Sequence, residues 1–299
     1  MRSSALNQRL RLLPAFAAMV VVCAALTAAP APLQESGPGP GFAEIEQTAL
    51  GLAAGYGLDR VLLVFDMDNT LLRMNQGLGS DEWYRWQNSL KPGDPDKIGD
   101  LNAAQGLLFD LAAMRPTDGP DEARIVKSLQ DRGFTIMVLT GRNPAYRSAT
   151  ERELAANGLD FSKSGVPPRE GFGGAFLPYD PRNTEAAGFV LPVDRTPEKF
   201  PDPRPVSYQN GVMMAFGQNK GWMLRALLNR CGRQYAAILF VDDTPANLEN
   251  MAGAFEGTSV KVAAVPYTRG GAAFDPAAAA AAWRKLTATV MELFGREFK

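Results

Sequence analysis

Residues 61–72, which read VLLVFDMDNTLL, constrain the fold of this chain more than any other stretch. Five apolar residues run without interruption from Val61 to Phe65, and such a run is typical of a strand buried on both faces of a parallel sheet. Asp66 and Asp68 follow at its carboxyl end, where ligands bind in open α/β sheets. Ordinary turns after strands also use Asp, Asn and Thr. Residues 66–70 therefore predict a site only in combination with the polar residues that follow later strands.

Further apolar runs along the chain have the same character. Residues 134–139 lead into Thr140-Gly141-Arg142, residues 237–241 lead into Asp242-Asp243, and residues 260–265 form a fourth predicted strand. Helical patterns separate these runs, and strands that alternate with helices indicate a parallel sheet with right-handed crossovers. The predicted fold class is therefore α/β, with a Rossmann-like parallel sheet flanked by helices.

Lys220 lies at the start of a predicted helix, shortly after Asn210-Gly211, a strong hairpin signal. A cation in this position opposes the helix dipole, at a cost of about 0.3–1 kcal/mol. A solvated lysine tolerates that cost, whereas nearby carboxylates or a bound phosphate would give a reason for it. Thr244 and Pro245 predict the cap and first turn of the next helix, directly after the last acidic pair.

The chain contains no histidine. This excludes Ser-His-Asp and Cys-His catalysis, a phosphohistidine intermediate, and histidine-ligated zinc or iron. Acid–base chemistry therefore falls to carboxylates, lysine or tyrosine, and a bound metal would be a hard cation held by oxygen. The two cysteines are Cys23 and Cys231. Because Cys23 lies in the N-terminal apolar segment, the mature chain is predicted to have no intramolecular disulfide.

The N-terminus has the pattern of a secretory signal peptide. Three arginines precede an apolar stretch at 12–29, and small residues and prolines follow it. We expect export to the periplasm or beyond, with residues 1–31 removed as a leader or retained as a membrane anchor. Loss of the leader changes the net charge from −1 to −4. That balance predicts no binding to nucleic acid, and contact with a membrane only through an uncleaved N-terminal segment.

Residues 32–42 are rich in proline and glycine and are predicted as a linker. The remaining residues, 43–299, are predicted as one domain that carries two inserts. The second insert, at 165–217, is also rich in proline and glycine and contains the hairpin. A tail over 276–294 is predicted as a packing helix.

The first insert, at 73–117, contains two helical patterns, one from Ser80 and one over 98–114. We interpret it as a helical cap. Trp83 and Trp86 either pack this cap on the body of the domain or form part of a lid over the site, and both interpretations can hold together.

The polar residues at these strand and helix ends resemble the four motifs of the haloacid dehalogenase-like (HAD) superfamily. In chain order they are Asp66-Met67-Asp68-Asn69-Thr70, Thr140, Lys220 and Asp242-Asp243. The first and the fourth are the specific ones. The leader, the hairpin and residues Asp81, Trp83 and Trp86 are further similar to an uncharacterised exported bacterial group (DUF2608-like).

The resemblance implies a mechanism of phosphoryl transfer. Asp66 would attack phosphorus and form an aspartyl-phosphate, while Asp68 would protonate the leaving oxygen and later activate water. Lys220 would neutralise Asp66 and a phosphate oxygen. Thr140 and the amide of Gly141 would donate hydrogen bonds to the phosphoryl group.

The resemblance also implies Mg²⁺ as the cofactor. Its ligands would be Asp66, the main-chain carbonyl of Asp68, and Asp242, with Asp243 as an alternative ligand or a partner of the ligands. Without a cation, several carboxylates and a phosphate held close together would repel by several kcal/mol per pair.

The expected function is a Mg²⁺-dependent phosphatase that acts on an unknown small-molecule phosphomonoester. An acid two residues after the nucleophile favours phosphoryl chemistry over displacement of halide. The alternatives are a phosphotransferase or phosphomutase, and a binding protein that keeps the fold without turnover. Arg142 and Asn247 lie close to the motifs and are candidates for substrate binding, although either can equally be a structural hydrogen-bonding residue.

Overall fold

In the computed structural model, the structure describes residues 39–188, 202–270 and 273–295. All of them belong to one compact unit, Pro38–Lys299. The predicted leader at 1–31, most of the predicted linker and part of the second insert lie outside the described residues. Among the helices that are described, none is both long enough and apolar enough to cross a membrane.

The described residues form eight strands and eight α-helices. The strands are β1 (Val61–Phe65), β2 (Leu72–Met74), β3 (Met114–Pro116), β4 (Thr135–Thr140), β5 (Ser207–Gln209), β6 (Val212–Met214), β7 (Ala237–Asp242) and β8 (Lys261–Pro266). The helices are α1 (Phe42–Tyr56), α2 (Asp81–Ser89), α3 (Leu101–Leu111), α4 (Asp121–Asp131), α5 (Arg147–Ala156), α6 (Lys220–Arg230), α7 (Pro245–Ala254) and α8 (Pro276–Phe294).

Six of these strands form the main sheet, in the order β5-β6-β4-β1-β7-β8. Strand β5 is antiparallel to β6, and the other neighbours are parallel. The prediction of an α/β fold with a Rossmann-like, mostly parallel sheet is confirmed. Because β1 lies between β4 and β7, the carboxyl ends of these three strands meet at one edge, where the strand order reverses.

Every residue of β1 is fully buried, which explains its continuous apolar sequence. Val61, Leu63 and Phe65 pack on the face covered by α1, α4 and α5. Leu62 and Val64 point to the opposite face and pack against α6 and α7. Alternate residues of one strand thus enter two separate cores, so both faces of the sheet require apolar side chains.

The predicted hairpin is present, but it lies at the edge of the main sheet rather than apart from it. Asn210 and Gly211 connect β5 to β6 with φ angles of 51° and 73°, as a tight two-residue hairpin turn requires. Strand β6 pairs in parallel with β4, from Val138 opposite Val212 to Thr140 opposite Met214. The hairpin therefore extends the edge that carries Thr140 and the residues after it.

The segment between β2 and β3, which pair antiparallel, carries α2 and α3, as predicted for the cap. The predicted second helix was too long at its end, because Met114 is the first residue of β3. Trp83 is fully buried and packs against Trp283 of α8, with ring centroids 6.4 Å apart. Trp86 contacts Phe274 in the same way, at 5.8 Å. The interpretation of both tryptophans as packing residues is confirmed: Trp83 packs on the tail helix, and Trp86 packs on the residue Phe274 just before it.

Two local predictions differ from the structure. The last part of the predicted linker is ordered against the domain, since the main-chain N–H of Gly39 donates to the hydroxyl of Thr268 at 2.9 Å and Phe42 begins α1. Thr244 occupies the N-cap position of α7, but its side chain does not cap the helix. Its hydroxyl donates to Asp243 instead, at 3.1 Å.

A buried carboxyl group lies beneath the turn that follows Asp68. Glu122 of α4 has no exposed surface. Its Oε1 atom accepts hydrogen bonds from the hydroxyl of Thr117 and the main-chain N–H of Asp118, and the hydroxyl of Tyr267 lies 3.5 Å away. The Thr117 hydroxyl also lies 2.6 Å from the main-chain oxygen of Thr70, so its one proton can be donated to either oxygen. Burial raises the pKa of Glu122 to about 7, against the opposing effect of these hydrogen bonds.

We predict that Glu122 makes the protein less stable as the pH rises. In the folded state the pKa of Glu122 is about 7, whereas in the unfolded chain the glutamate has its reference pKa of about 4.3. The contribution is therefore fully present below about pH 4 and is lost between about pH 4 and 7. Glu122→Gln cannot titrate, so its free energy of unfolding should depend less on pH.

Urea unfolding at about pH 5 and about pH 8 checks this, with wild type expected to lose about 1–2 kcal/mol more than the variant. Glu256→Gln, the same change at an exposed position, should keep the wild-type dependence. Identical pH dependence in wild type and Glu122→Gln would contradict the prediction.

Candidate active site

The ends of β1 and β7 bring two acids side by side. Phe65 is opposite Val241 in the parallel register, and the main-chain N–H of Asp66 donates to the carbonyl of Val241 at 2.9 Å. Asp66 and Asp242 therefore leave the sheet at the same edge. Both are almost completely buried, with exposed fractions of 5% and 0%. Two carboxylates this close and this buried require a counter-charge.

Lys220 supplies that charge. Its Nζ atom lies 2.6 Å from Oδ1 of Asp66 and 2.7 Å from Oδ2 of Asp242. The lysine is the first residue of α6, where the side chain of Asn219 caps the helix by accepting from the N–H of Trp222 at 3.1 Å. This N-cap by Asn219 fixes the direction of the first turn of α6. The two carboxylates stabilise a cation that the helix dipole disfavours.

The protonation of this group follows from burial and from the excess of acids. Burial alone lowers the pKa of Lys220, but Asp66 and Asp242 outweigh it and hold that pKa above its usual value. Burial raises the pKa of Asp66, Lys220 opposes this effect, and Asp242, Asp243 and Asp68 add to it. The two acids therefore favour the cationic form of Lys220, whereas burial and the neighbouring acids favour the protonated form of Asp66.

Asp243 completes a group of three acids that suits a metal ion. One carboxylate oxygen from each of Asp66, Asp242 and Asp243 lies within 4.8 Å of the other two. Burial raises the pKa of Asp243, and Asp242 adds to the effect. Three convergent carboxylate oxygens form a hard donor set that fits Mg²⁺ in chemical type.

Asp242 is also held from the α7 side. The main-chain N–H of Thr244 donates to its Oδ1 atom at 2.9 Å. The amide of Asn247 donates to Oδ1 and Oδ2, at 2.9 and 3.2 Å. Asn247, predicted as a candidate for substrate binding, thus orients an acid of the site, and it also lines the cavity described below.

Asp68 is turned toward a different cation. Arg142 donates to both of its oxygens, from Nε at 2.8 Å and from Nη2 at 2.7 Å. The side chain of Arg142 is only 3% exposed; its Nη1 donates to Thr150 at 3.2 Å and its guanidinium lies 3.9 Å from the centre of the Phe109 ring. The structure therefore shows Arg142 as a bidentate clamp on Asp68, and the residue also lines the cavity described below.

Thr140 and Gly141 occupy different depths at the end of β4. Thr140 is fully buried, and its hydroxyl accepts from the main-chain N–H of Arg142 at 3.2 Å. Gly141 lines the cavity. The carbonyl of Gly141 accepts from the N–H of Gly217 at 2.7 Å, which ties the segment after β4 to the segment after β6.

The turn that carries Asp68 is fixed by close contacts. Asn69 adopts a left-handed conformation with φ of 56°, and its side-chain amide donates to Glu82 of the cap at 2.9 Å. A Cβ atom on Gly270 would lie 1.7 Å from the carbonyl oxygen of Asn69. Only glycine fits at position 270 beside this turn.

These groups surround a cavity of about 370 Å³. Its floor is formed by the acids and cations already described, and its other walls come from the cap, the segment after β4 and the segment after β6. Sequence patterns identified Gly141 and Arg142 on these walls but did not identify the other wall residues as part of the site. Those others include Asp81, Tyr84, Asn102, Gln105, Phe109, Tyr146, Arg204, Phe216 and Gln218.

The cap reaches the acids through a charged bridge. Arg85 of α2 lies 2.5 Å from Asp81 and 3.7 Å from Asp243. Burial raises the pKa of Asp81 to about 6, with Arg85 opposing the effect and Asp68 and Asp243 adding to it. Asp81 is the first residue of α2, directly after the capping residue Ser80. The helix start that the sequence predicted therefore faces the site.

A family model described as a protein of unknown function (DUF2608) matches residues 42–293, most of the chain. The chain belongs to this family. No curated protein matches it. The match includes every residue of the site and the whole cap, so the DUF2608 region corresponds to the complete arrangement of sheet, cap and tail helix rather than to the sheet alone.

We predict that Lys220→Met strongly destabilises this DUF2608 protein. The change leaves two buried carboxylates without their cation, at a cost of about 3–5 kcal/mol in the free energy of unfolding. Urea unfolding in the presence of a chelator measures the loss. Adding Asp66→Asn to Lys220→Met should restore part of it, because one of the two unpaired charges is removed.

Lys127→Met provides the control, since Lys127 pairs with Asp131 on an exposed face and should contribute under about 1 kcal/mol. Equal stability of Lys220→Met and wild type would contradict the role assigned to Lys220.

Proposed function

We propose that this protein is a Mg²⁺-dependent phosphatase of the HAD-like superfamily that acts through an aspartyl-phosphate. The observation that carries the proposal is the contact of Lys220 with Asp66 and Asp242, at 2.6 and 2.7 Å, at the carboxyl edge of a parallel sheet. Asp243 extends this group to three convergent carboxylates. The order of the motifs along the chain agrees with the proposal.

Asp66 is suited to act as the nucleophile. Its position after β1 is set by a main-chain hydrogen bond to β7, and its Oδ1 atom is fixed by Lys220. In the proposed reaction, a carboxylate oxygen of Asp66 forms a bond to phosphorus as the bond from phosphorus to the leaving oxygen breaks. Lys220 balances the charge that collects on the phosphoryl oxygens.

Asp68 is suited to move the proton. In the first step its carboxyl group would give a proton to the leaving oxygen, and in the second it would take one from the water that attacks the aspartyl-phosphate. A group with both tasks must keep one orientation. The two hydrogen bonds from Arg142, together with the fixed turn at Asn69, hold Asp68 in place.

Asp66, Asp242 and Asp243 would hold the Mg²⁺ ion, together with the main-chain carbonyl of Asp68. When bound, the ion supplies positive charge to the transferred phosphoryl group. The amide of Gly141 would donate a hydrogen bond to the same group from the cavity wall. Thr140 would donate a hydrogen bond to the phosphoryl group from below. Its buried hydroxyl accepts from the N–H of Arg142, so its own proton is left to donate.

The central test is phosphate release from phenyl phosphate by the purified full-length protein. We expect turnover that requires Mg²⁺ and that falls by a factor of about 10³ or more in Asp66→Asn, because the substitution removes the nucleophile. Asp131→Asn, the same change at an exposed position on α4, should retain wild-type turnover. Undiminished, metal-dependent turnover in Asp66→Asn would refute the mechanism. A complete lack of turnover across phosphate esters would favour a binding protein with this fold.

Metal binding can be measured apart from turnover. A cation that binds only the folded state raises its stability, so Mg²⁺ should raise the thermal unfolding midpoint of wild type. Asp242→Asn removes a ligand and should lower the affinity for Mg²⁺ by about tenfold or more. The Asp131→Asn variant again serves as the control. An Mg²⁺ response in Asp242→Asn equal to that of wild type would exclude this residue as a ligand.

A further inference from the structure

Three cations line the cavity, and they differ in what they contact. Lys220 is bound to Asp66 and Asp242, and Arg142 is bound to Asp68. Arg204 also lines the cavity, yet it forms no ion pair with any acid among residues 39–188, 202–270 and 273–295. Arg204 is exposed, and it is the one of these three cations that has no acid partner among those residues.

The position of Arg204 is nevertheless fixed. Its main-chain N–H donates to the side-chain oxygen of Gln218 at 2.9 Å, and its carbonyl accepts from the side-chain nitrogen of Gln218, also at 2.9 Å. The same nitrogen donates to the carbonyl of Ala215 at 2.9 Å. The Arg204 guanidinium lies 4.9 Å from the centre of the Phe216 ring, which restrains the side chain without neutralising it.

The wall that presents Arg204 is joined to the phosphoryl-binding end of the site. Phe216 has a left-handed φ of 52°, and its N–H donates to the carbonyl of Arg142 at 3.1 Å. A Cβ atom on Gly217 would lie 3.5 Å from Nη2 of Arg204, so the guanidinium rests against the backbone of Gly217. Gly217 is hydrogen-bonded in turn to Gly141. Arg204 and Gly141 are therefore neighbouring features of one wall.

We propose that Arg204 binds a second anionic group of the substrate, and that the substrates are small phosphate monoesters carrying a further carboxylate or phosphate. This inference rests on the proposed phosphatase function. A guanidinium presents paired N–H donors that match an oxyanion of either kind. The other charged groups of the cavity lining are the acids Asp66, Asp68, Asp81 and Asp243 and the cations Lys220 and Arg142. Both of those cations are already paired with acids, so Arg204 marks where a second negative charge can lie. The cavity of about 370 Å³ limits the substrate to a small molecule.

Binding of two matched phosphonates tests the proposal without turnover. Phenylphosphonate and 4-carboxyphenylphosphonate differ by one carboxylate, and isothermal titration of the full-length protein with Mg²⁺ measures both affinities. We expect wild type to bind the carboxylated compound about tenfold more tightly or better. Arg204→Gln should lose this preference, and Arg204→Lys should recover part of it because it restores the charge without the paired donors.

Arg124→Gln is the matched control, since Arg124 lies on an exposed face of α4 and pairs with Asp121; it should keep the wild-type preference. A wild type with no preference, an Arg204→Gln variant that retains it, or failure of both compounds to bind would each overturn the proposal. Equal weakening of both compounds in Arg204→Gln would also overturn it, because Arg204 would then contact the phosphonate itself.

Turnover of phenyl phosphate separates this inference from the function on which it rests. Turnover without a carboxylate preference would support the phosphatase function and contradict the role of Arg204. A binding preference without turnover of any phosphate ester would support Arg204 as an anion-binding residue and contradict the phosphatase function.

Discussion

The buried contact of Lys220 with Asp66 and Asp242 is the constraint on which the site depends. Neither acid can remain ionised in this environment without the cation, and the cation is disfavoured both by burial and by the start of its own helix. Each charge is therefore stable only while the others are in place. This mutual dependence ties the first residue of α6 to the ends of β1 and β7, which the hydrogen bonds of the sheet already hold side by side. It links the stability of the domain to the geometry of the site.

The sheet and the site impose different demands on the same few residues. Val61 to Phe65 are apolar because helices cover both faces of the sheet, and the very next residue is a buried acid. The change from apolar to acidic residues is abrupt because the carboxyl ends of the parallel strands lie at one edge of the sheet. The loops at that edge line a cavity, whereas the strands themselves are covered by helices. An acid one residue earlier would lie in a core with no partner, at a cost of several kcal/mol.

The sequence allowed the convergence of these side chains to be predicted because each part has a local signal. The apolar runs end in acids, and the register of a parallel sheet brings Asp66 and Asp242 together without further information. The clamp of Arg142 on Asp68 has no such signal, since it depends on the depth at which one side chain packs on Phe109. Strands β2 and β3 are three residues long, too short to produce a pattern, and for this reason the predicted second helix of the cap was extended into β3.

Distant parts of the chain determine the shape of the cavity, which explains why its walls are harder to infer from the sequence than the meeting of the acids. Trp83 is buried against Trp283, so the tail helix holds α2 in position. Through α2 it also holds Asp81 and Arg85 over the acids. The opposite wall, with Arg204, depends on a hairpin at the far edge of the sheet. The contacts that shape the cavity walls are therefore separate from the contacts among Asp66, Lys220 and Asp242, and under the proposed function the former would set specificity and the latter the chemistry.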